Sequence, residues 1–199
     1  MNNKNEILHI LLLGSSQTRM NDIILTRMGL INFTINDPNE LHNPHRISRN
    51  VINGKEYIIH YYYLVFEPQT FYIDEYFKRM ITQEDIDSID GIIFVYATYS
   101  AYSFLYYEQA KSDIKTKLNM KQIETIPFIL CGVIDDEKDV IIDENEGKQM
   151  ALKTNVEFFE IHYKKRNEID EMFNRLIENI LNQRIEVKRN GNQLYCILC

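Results

Sequence analysis

Cysteine is scarce: three in 199 residues, two of them within the last four positions, so no disulfide framework is implied. Positive charge is also in deficit. Lys and Arg total 22 against 29 Asp and Glu, a formal net charge of −7, which argues against non-specific nucleic-acid binding. No apolar run reaches the roughly 18 residues that a membrane-spanning helix needs. The apolar part of "MNNKNEILHILLLG" is too short, with acid nearby, for a secretory signal. Repeats and Pro/Gly/Ser-rich linkers are missing as well. These absences leave a globular chain expected in the cytosol, with one domain at 5–183 and a short flexible tail at 184–199.

Three near-continuous apolar runs are present instead: "EILHILLLG" (6–14), "GIIFVYAT" (91–98) and "IPFILCGV" (126–133). Such runs fit strands buried on both faces. "RISRNVINGKEYIIHYYYLVF" holds two β-rich stretches around Asn53-Gly54, a strong hairpin signal. "VEFFEIHY" reads as a further strand. Helices are expected at "TRMNDIILTRMGL", "TFYIDEYFKRMI", "SAYSFLYYEQAKSDIKTKL", "DENEGKQMALKTN" and "EIDEMFNRLIENILNQ". The last has an apolar stripe of Ile169, Met172, Phe173, Leu176, Ile177 and Ile180. The expected fold class is α/β, three-layer, a mostly parallel six-stranded sheet with one antiparallel edge strand. Ligands of such sheets sit beyond the C-terminal ends of the strands. Gly14, closing the first run, lies at one such end.

Several segments carry a more specific likeness. "NGKEYIIHYY" resembles the second hairpin strand of the Ras superfamily of small GTPases, and "DGIIFVYATYSAYSF" its fourth strand and following loop. "IPFILCG" and "VEFFEI" resemble the strands that carry its guanine-reading loops. The element order is similar over nearly the whole chain, and Ras-like and Rab-like patterns fit it about equally. The resemblance implies a P-loop NTPase-like fold, GTP or GDP with Mg²⁺ as ligand, and protein effectors or regulators as partners.

The ligand-binding motifs depart from that pattern. In the Gly-x-x-x-x-Gly-Lys-Ser/Thr loop, Gly14 fills the first position, while Arg19, Met20 and Asn21 stand in the last three. The lysine neutralises phosphate oxygens and the hydroxyl binds Mg²⁺. Met20 supplies no charge, Arg19 reaches an anion only from another register, and Asn21 is a poor metal ligand. Asp-x-x-Gly falls on Tyr63, Leu64, Val65 and Phe66, followed by Glu67 in the water-orienting place. No threonine lies between Ile35 and Arg46, and Thr34 is too far upstream to serve the first switch. Asn-Lys-x-Asp falls on Val133, Ile134, Asp135 and Asp136, so Asp136 alone retains a base-reading type. The Ser-Ala-Lys loop falls on His162, Tyr163 and Lys164, where the Tyr163 backbone N–H survives. Each charge-assisted bond contributes about 1.5–3 kcal/mol, so three losses remove roughly 5–9 kcal/mol. That corresponds to about four to six decades of affinity.

Plainer readings apply to many of these residues. Gly14 also suits an ordinary strand-end turn, and Lys164 and Lys165 suit the surface. His42 and His45 lack a completing ligand pattern, so no metal site is expected. His60 and His162 read as strand residues and Cys131 as a core residue. Tyr63, Phe66 and Phe71 either fill the vacated cleft, form a partner surface or join the core.

Two functional readings remain open. One is a pseudo-GTPase with no required cofactor and weak or absent GTP/GDP binding, acting as a membrane-tethered signalling or trafficking module. The other is an unorthodox GTP hydrolase using Asp136, Lys164, Arg19 and backbone N–H groups after Gly14. A flavodoxin-like module is a third, opposed by the hairpin signal. "CILC" resembles a prenylation box with Cys196 as acceptor, and Cys199 in final place leaves the lipid type open. In the tail Arg184, Lys188 and Arg189 oppose Glu186, and each basic residue near an anionic leaflet adds about 1 kcal/mol. Peripheral attachment to a cytoplasmic membrane face is expected. Fractionation of cells expressing the chain or its Cys196→Ser variant tests this: the variant is expected to move to the soluble fraction, and an unchanged distribution counts against the anchor.

Overall fold

Strands β1 (Glu6–Gly14), β4 (Gly91–Ala97) and β5 (Phe128–Ile134) form where the apolar runs predict them. Their side chains bury on both faces of the sheet, as central parallel strands require. The computed structural model describes residues 6–29, 45–52, 54–65, 81–117 and 119–197, and the side chains of all of these except 117, 121 and 188–197. β2 (His45–Ile52) and β3 (Lys55–Val65) make the hairpin, turning at Gly54 with φ 76°. That left-handed conformation costs glycine no Cβ clash. With β6 (Glu157–His162) the order is β2-β3-β1-β4-β5-β6, six strands of which β2 alone runs antiparallel to its neighbour.

Helices cover both faces. α1 (Met20–Met28) and the long α6 (Arg166–Ile197) lie on one side. There Ile23, Ile24, Met172, Phe173 and Leu176 share a core with Ile10 and Leu12 of β1, Ile93 of β4 and Ile129 of β5. Arg27 fastens the two helices through Asp170 at 2.6 Å and Asn174 at 2.9 Å. The other side holds α2 (Gln83–Asp87), α3 (Ala101–Leu105), α4 (Tyr107–Lys117) and α5 (Glu144–Thr154). Their core includes Leu11, Leu13, Phe94, Tyr96, Phe104 and Tyr107.

Several boundaries differ from expectation. The helix expected over 100–118 is two helices separated at Tyr106, the C-cap of α3. α2 was missed because it has five residues, too few for periodicity, although its Thr82–Asp85 capping box was visible. The expected helix at 70–81 falls almost wholly outside the described residues, as do Phe66 and Phe71. Tyr57, Tyr61, Tyr62, Tyr96 and Tyr107 are core residues, and Tyr63 packs against the α1/α6 side.

The last helix, expected to stop near Gln183, continues to Ile197, so 184–197 is helical where a flexible tail was expected. Arg184 ties this extension to the body, reaching Asp90 Oδ1 at 2.6 Å and the Ile7 carbonyl at 3.3 Å. An ion-paired Arg184 is withdrawn from the basic cluster that the tail's composition suggested. Among the described residues no helix is long and apolar enough to cross a membrane.

Candidate functional site

Four strands deliver polar side chains to one place. The segments after β1, β4, β5 and β6 bring Arg19, Tyr99, Asp135 and Tyr163 together at the C-terminal edge of the sheet. This is the edge at which ligands of parallel α/β sheets bind.

The loop from Gly14 to Arg19 folds back on its own strand. Thr18 donates its hydroxyl and its backbone N–H to the Ser15 carbonyl, at 2.7 and 3.1 Å. A Cβ on Gly14 would stand 2.4 Å from Thr18 Oγ1 and 2.8 Å from the Val95 carbonyl oxygen. Glycine is therefore required here by packing alone. Tyr99 donates its hydroxyl to the Gln17 carbonyl at 2.6 Å, pinning the loop from above. Burial raises the Tyr99 phenol, with Arg19 acting in the opposite direction.

Arg19 is the N-cap of α1 and adopts a left-handed conformation, φ 54° and ψ 27°, without a side-chain cap bond. For a non-glycine residue this costs about 1–2 kcal/mol. Its side-chain contacts favour the conformation: Asp135 Oδ2 at 3.4 Å, Asp22 Oδ2 at 3.7 Å, and the Tyr163 ring with its centroid 5.2 Å from the guanidinium carbon. Asp135 is only 2% exposed, and its other oxygen accepts the Glu137 N–H at 3.2 Å. Burial raises the Asp22 carboxyl, opposed by Arg19 and then Lys164. Lys164 reaches the same Tyr163 ring at 5.1 Å and stands 3.9 Å from Glu137. Tyr163 is thus a ring with two cations against it, and its carbonyl accepts from Thr26 at 3.2 Å.

The structure brings Arg19, Tyr163 and Lys164 together, with Gly14 opening the loop that leads to Arg19. Asp136 is 76% exposed and stands 3.5 Å from His162 Nε2. Asp135 is the acid that turns inward. Sequence reasoning missed it because "DDEKD" offers several similar carboxylates, and only the turn after β5 selects one. Asn21 lies in the first turn of α1 with its buried Oδ1 lacking a hydrogen bond among the described residues. Met20 is buried in the core with its sulfur facing Gly14. Cys131 is fully buried, and burial pushes its thiol far up, as for an inert core residue. Among the described residues no group of three or more His, Cys, Asp or Glu is arranged to hold a metal ion.

The Ras family model matches residues 74–182, more than half of the chain. The matched span runs from before α2 into α6 and leaves Gly14 and Arg19 outside it. No curated protein matches the chain.

The pair at the centre is unequal: Asp135 is buried, while the Arg19 side chain is 45% exposed. Asp135→Ala is expected to cost about 1–3 kcal/mol, by losing a turn bond and a charge contact. Arg19→Ala keeps the left-handed backbone and loses the contacts, so Arg19→Gly is expected to be the more stable of the two by about 1 kcal/mol. Urea unfolding of the three variants checks both. Equal stability of the two Arg19 variants would show that position 19 carries no backbone strain.

Proposed function

The chain belongs to the Ras family, and on that premise we propose that it is a pseudo-GTPase. On this reading it is a small-GTPase-like interaction module, held at a membrane through Cys196, that binds GTP or GDP weakly or not at all. The observation that carries the reading is the Arg19–Asp135 pair on the Tyr163 ring. These groups satisfy one another where the family's ligand would need free donors.

A magnesium triphosphate asks for a concentration of positive charge and hard oxygen ligands. Here Arg19 and Lys164 are set against three carboxylates, Asp22, Asp135 and Glu137. The lysine's place holds buried Met20, and the metal-binding hydroxyl's place holds Asn21. Ser15 Oγ is buried and lacks a bond among the described residues, but one hydroxyl does not make a magnesium shell. The donor set does not fit the group, so no hydrolytic step is assigned to any residue.

The partners on this reading are protein effectors or regulators, in signalling or trafficking. The framework would serve them as a rigid surface, with α6 carrying Cys196 at its far end. A single lipid chain binds membranes only marginally. With Arg184 engaged by Asp90, attachment is reversible.

Mass spectrometry of nucleotide released from the purified full chain, followed by titration with labelled GTP with and without Mg²⁺, tests the reading. The expected result is far less than one guanine nucleotide per chain and binding indifferent to Mg²⁺. Stoichiometric nucleotide, or strongly Mg²⁺-dependent binding, would establish the alternative, an unorthodox GTPase.

A further inference from the structure

At the outer part of the sheet, far in sequence from one another, three imidazoles share a face. His9 on β1 is the register partner of His60 on β3, and His45, which opens β2, lies opposite Tyr62. The His9 and His60 ring centroids are 4.8 Å apart, and those of His45 and His60 are 5.0 Å apart. Tyr62 stacks nearly parallel on His45, at 4.6 Å and 5°.

Hydrogen bonds order the group. Tyr62 donates its hydroxyl to Asp85 Oδ1 at 3.1 Å, and Ser88 donates its own to the Asp85 carbonyl at 2.8 Å. Both hydroxyl hydrogens are thereby used. His9 Nδ1, 3.0 Å from Tyr62 Oη and 3.3 Å from Ser88 Oγ, is then the donor to them. Between His45 Nε2 and His60 Nδ1, at 3.1 Å, one ring donates and the other accepts. That contact survives with both rings neutral or with one charged. It does not survive with two cations, because neither then has a lone pair to accept with.

We propose that this stack is a proton-operated clasp: neutral, it fastens the outer strand β2 to β3 and β1, and on acidification it releases the His45 end of β2. Among the described residues, two carboxylates and one guanidinium act on the rings. From the 82–90 segment Asp85 and Asp90 face the rings, and from α6 Arg184 does. Asp85 already accepts from the Thr82 backbone and hydroxyl and from Tyr62. Asp90 already accepts from the His9 backbone and from Arg184.

Burial first, and then the His60 charge, hold both His9 and His45 below the usual imidazole value; burial does the same for His60, against Asp85. All three folded values lie below the unfolded one. The unfolded state therefore takes up protons first as pH falls. Stability is complete above about pH 6.5 and is lost as pH drops through the folded values. β2 is the element that yields. It is the edge strand, paired with β3 on one side, with Ile47 51% and Val51 74% exposed. Edge elements with few buried contacts open at low free energy.

Hydrogen exchange of the full chain, read by mass spectrometry at about pH 7.5 and about pH 5.5 and corrected for intrinsic rates, tests the clasp. The expected result is about ten-fold loss of protection in residues 45–52 at the lower pH, with β4 and β5 unchanged. His45→Gln is expected to abolish that difference. His60→Gln is the second variant, with the same expectation, should the first not fold. Equal protection of β2 at both pH values, equal loss in β4 and β5, or an undiminished acid response in the folded variant would each overturn the proposal.

Discussion

A carboxylate buried at the end of a parallel strand must have a partner, because an uncompensated buried charge costs several kcal/mol. Asp135 is such a carboxylate, and Arg19 answers it from the start of α1. Much of the local geometry accompanies that pairing. Arg19 stays left-handed, α1 begins directly after it, and its guanidinium lies against Tyr163. Met20 is turned inward, and Gly14 lets Thr18 close the loop. At this strand-end edge Arg19, Asp135 and Tyr163 are directed at one another.

The frame beneath is the ordinary one for this fold, and for that reason it persists. Two apolar cores on opposite faces of the sheet hold it, one against α1 and α6, the other against α2 to α5. Neither core calls on a bound group. Arg27 with Asp170 and Asn174 links α1 to α6, and Glu168 accepts from the His162 backbone at 2.8 Å where β6 gives way to α6. The packing of the frame and the contacts among the strand-end loops thus draw largely on different residues.

The architecture was legible because it is written in periodicity. Continuous apolar runs marked β1, β4 and β5, and Asn53-Gly54 marked the hairpin. What stayed hidden depended on local geometry or on sheet register. Tyr106 divides a helical stretch with no glycine or proline to announce it. Arg184, at the start of the α6 extension, is held by Asp90, a contact that composition does not display. Of two adjacent aspartates, the sequence favoured Asp136 and the turn buries Asp135. Nothing in the sequence links His9, His45 and His60, and only the pairing of β1, β3 and β2 assembles them.

The proposed reading is that Arg19, Asp135 and Tyr163 engage one another at the strand ends in place of a nucleotide. A crystal structure of the full chain grown with excess GDP and Mg²⁺ tests it most directly. The expected result is Arg19 on Asp135 and against Tyr163, with no nucleotide above Gly14. GDP and Mg²⁺ bound there, with Arg19 swung away from Asp135, would contradict it.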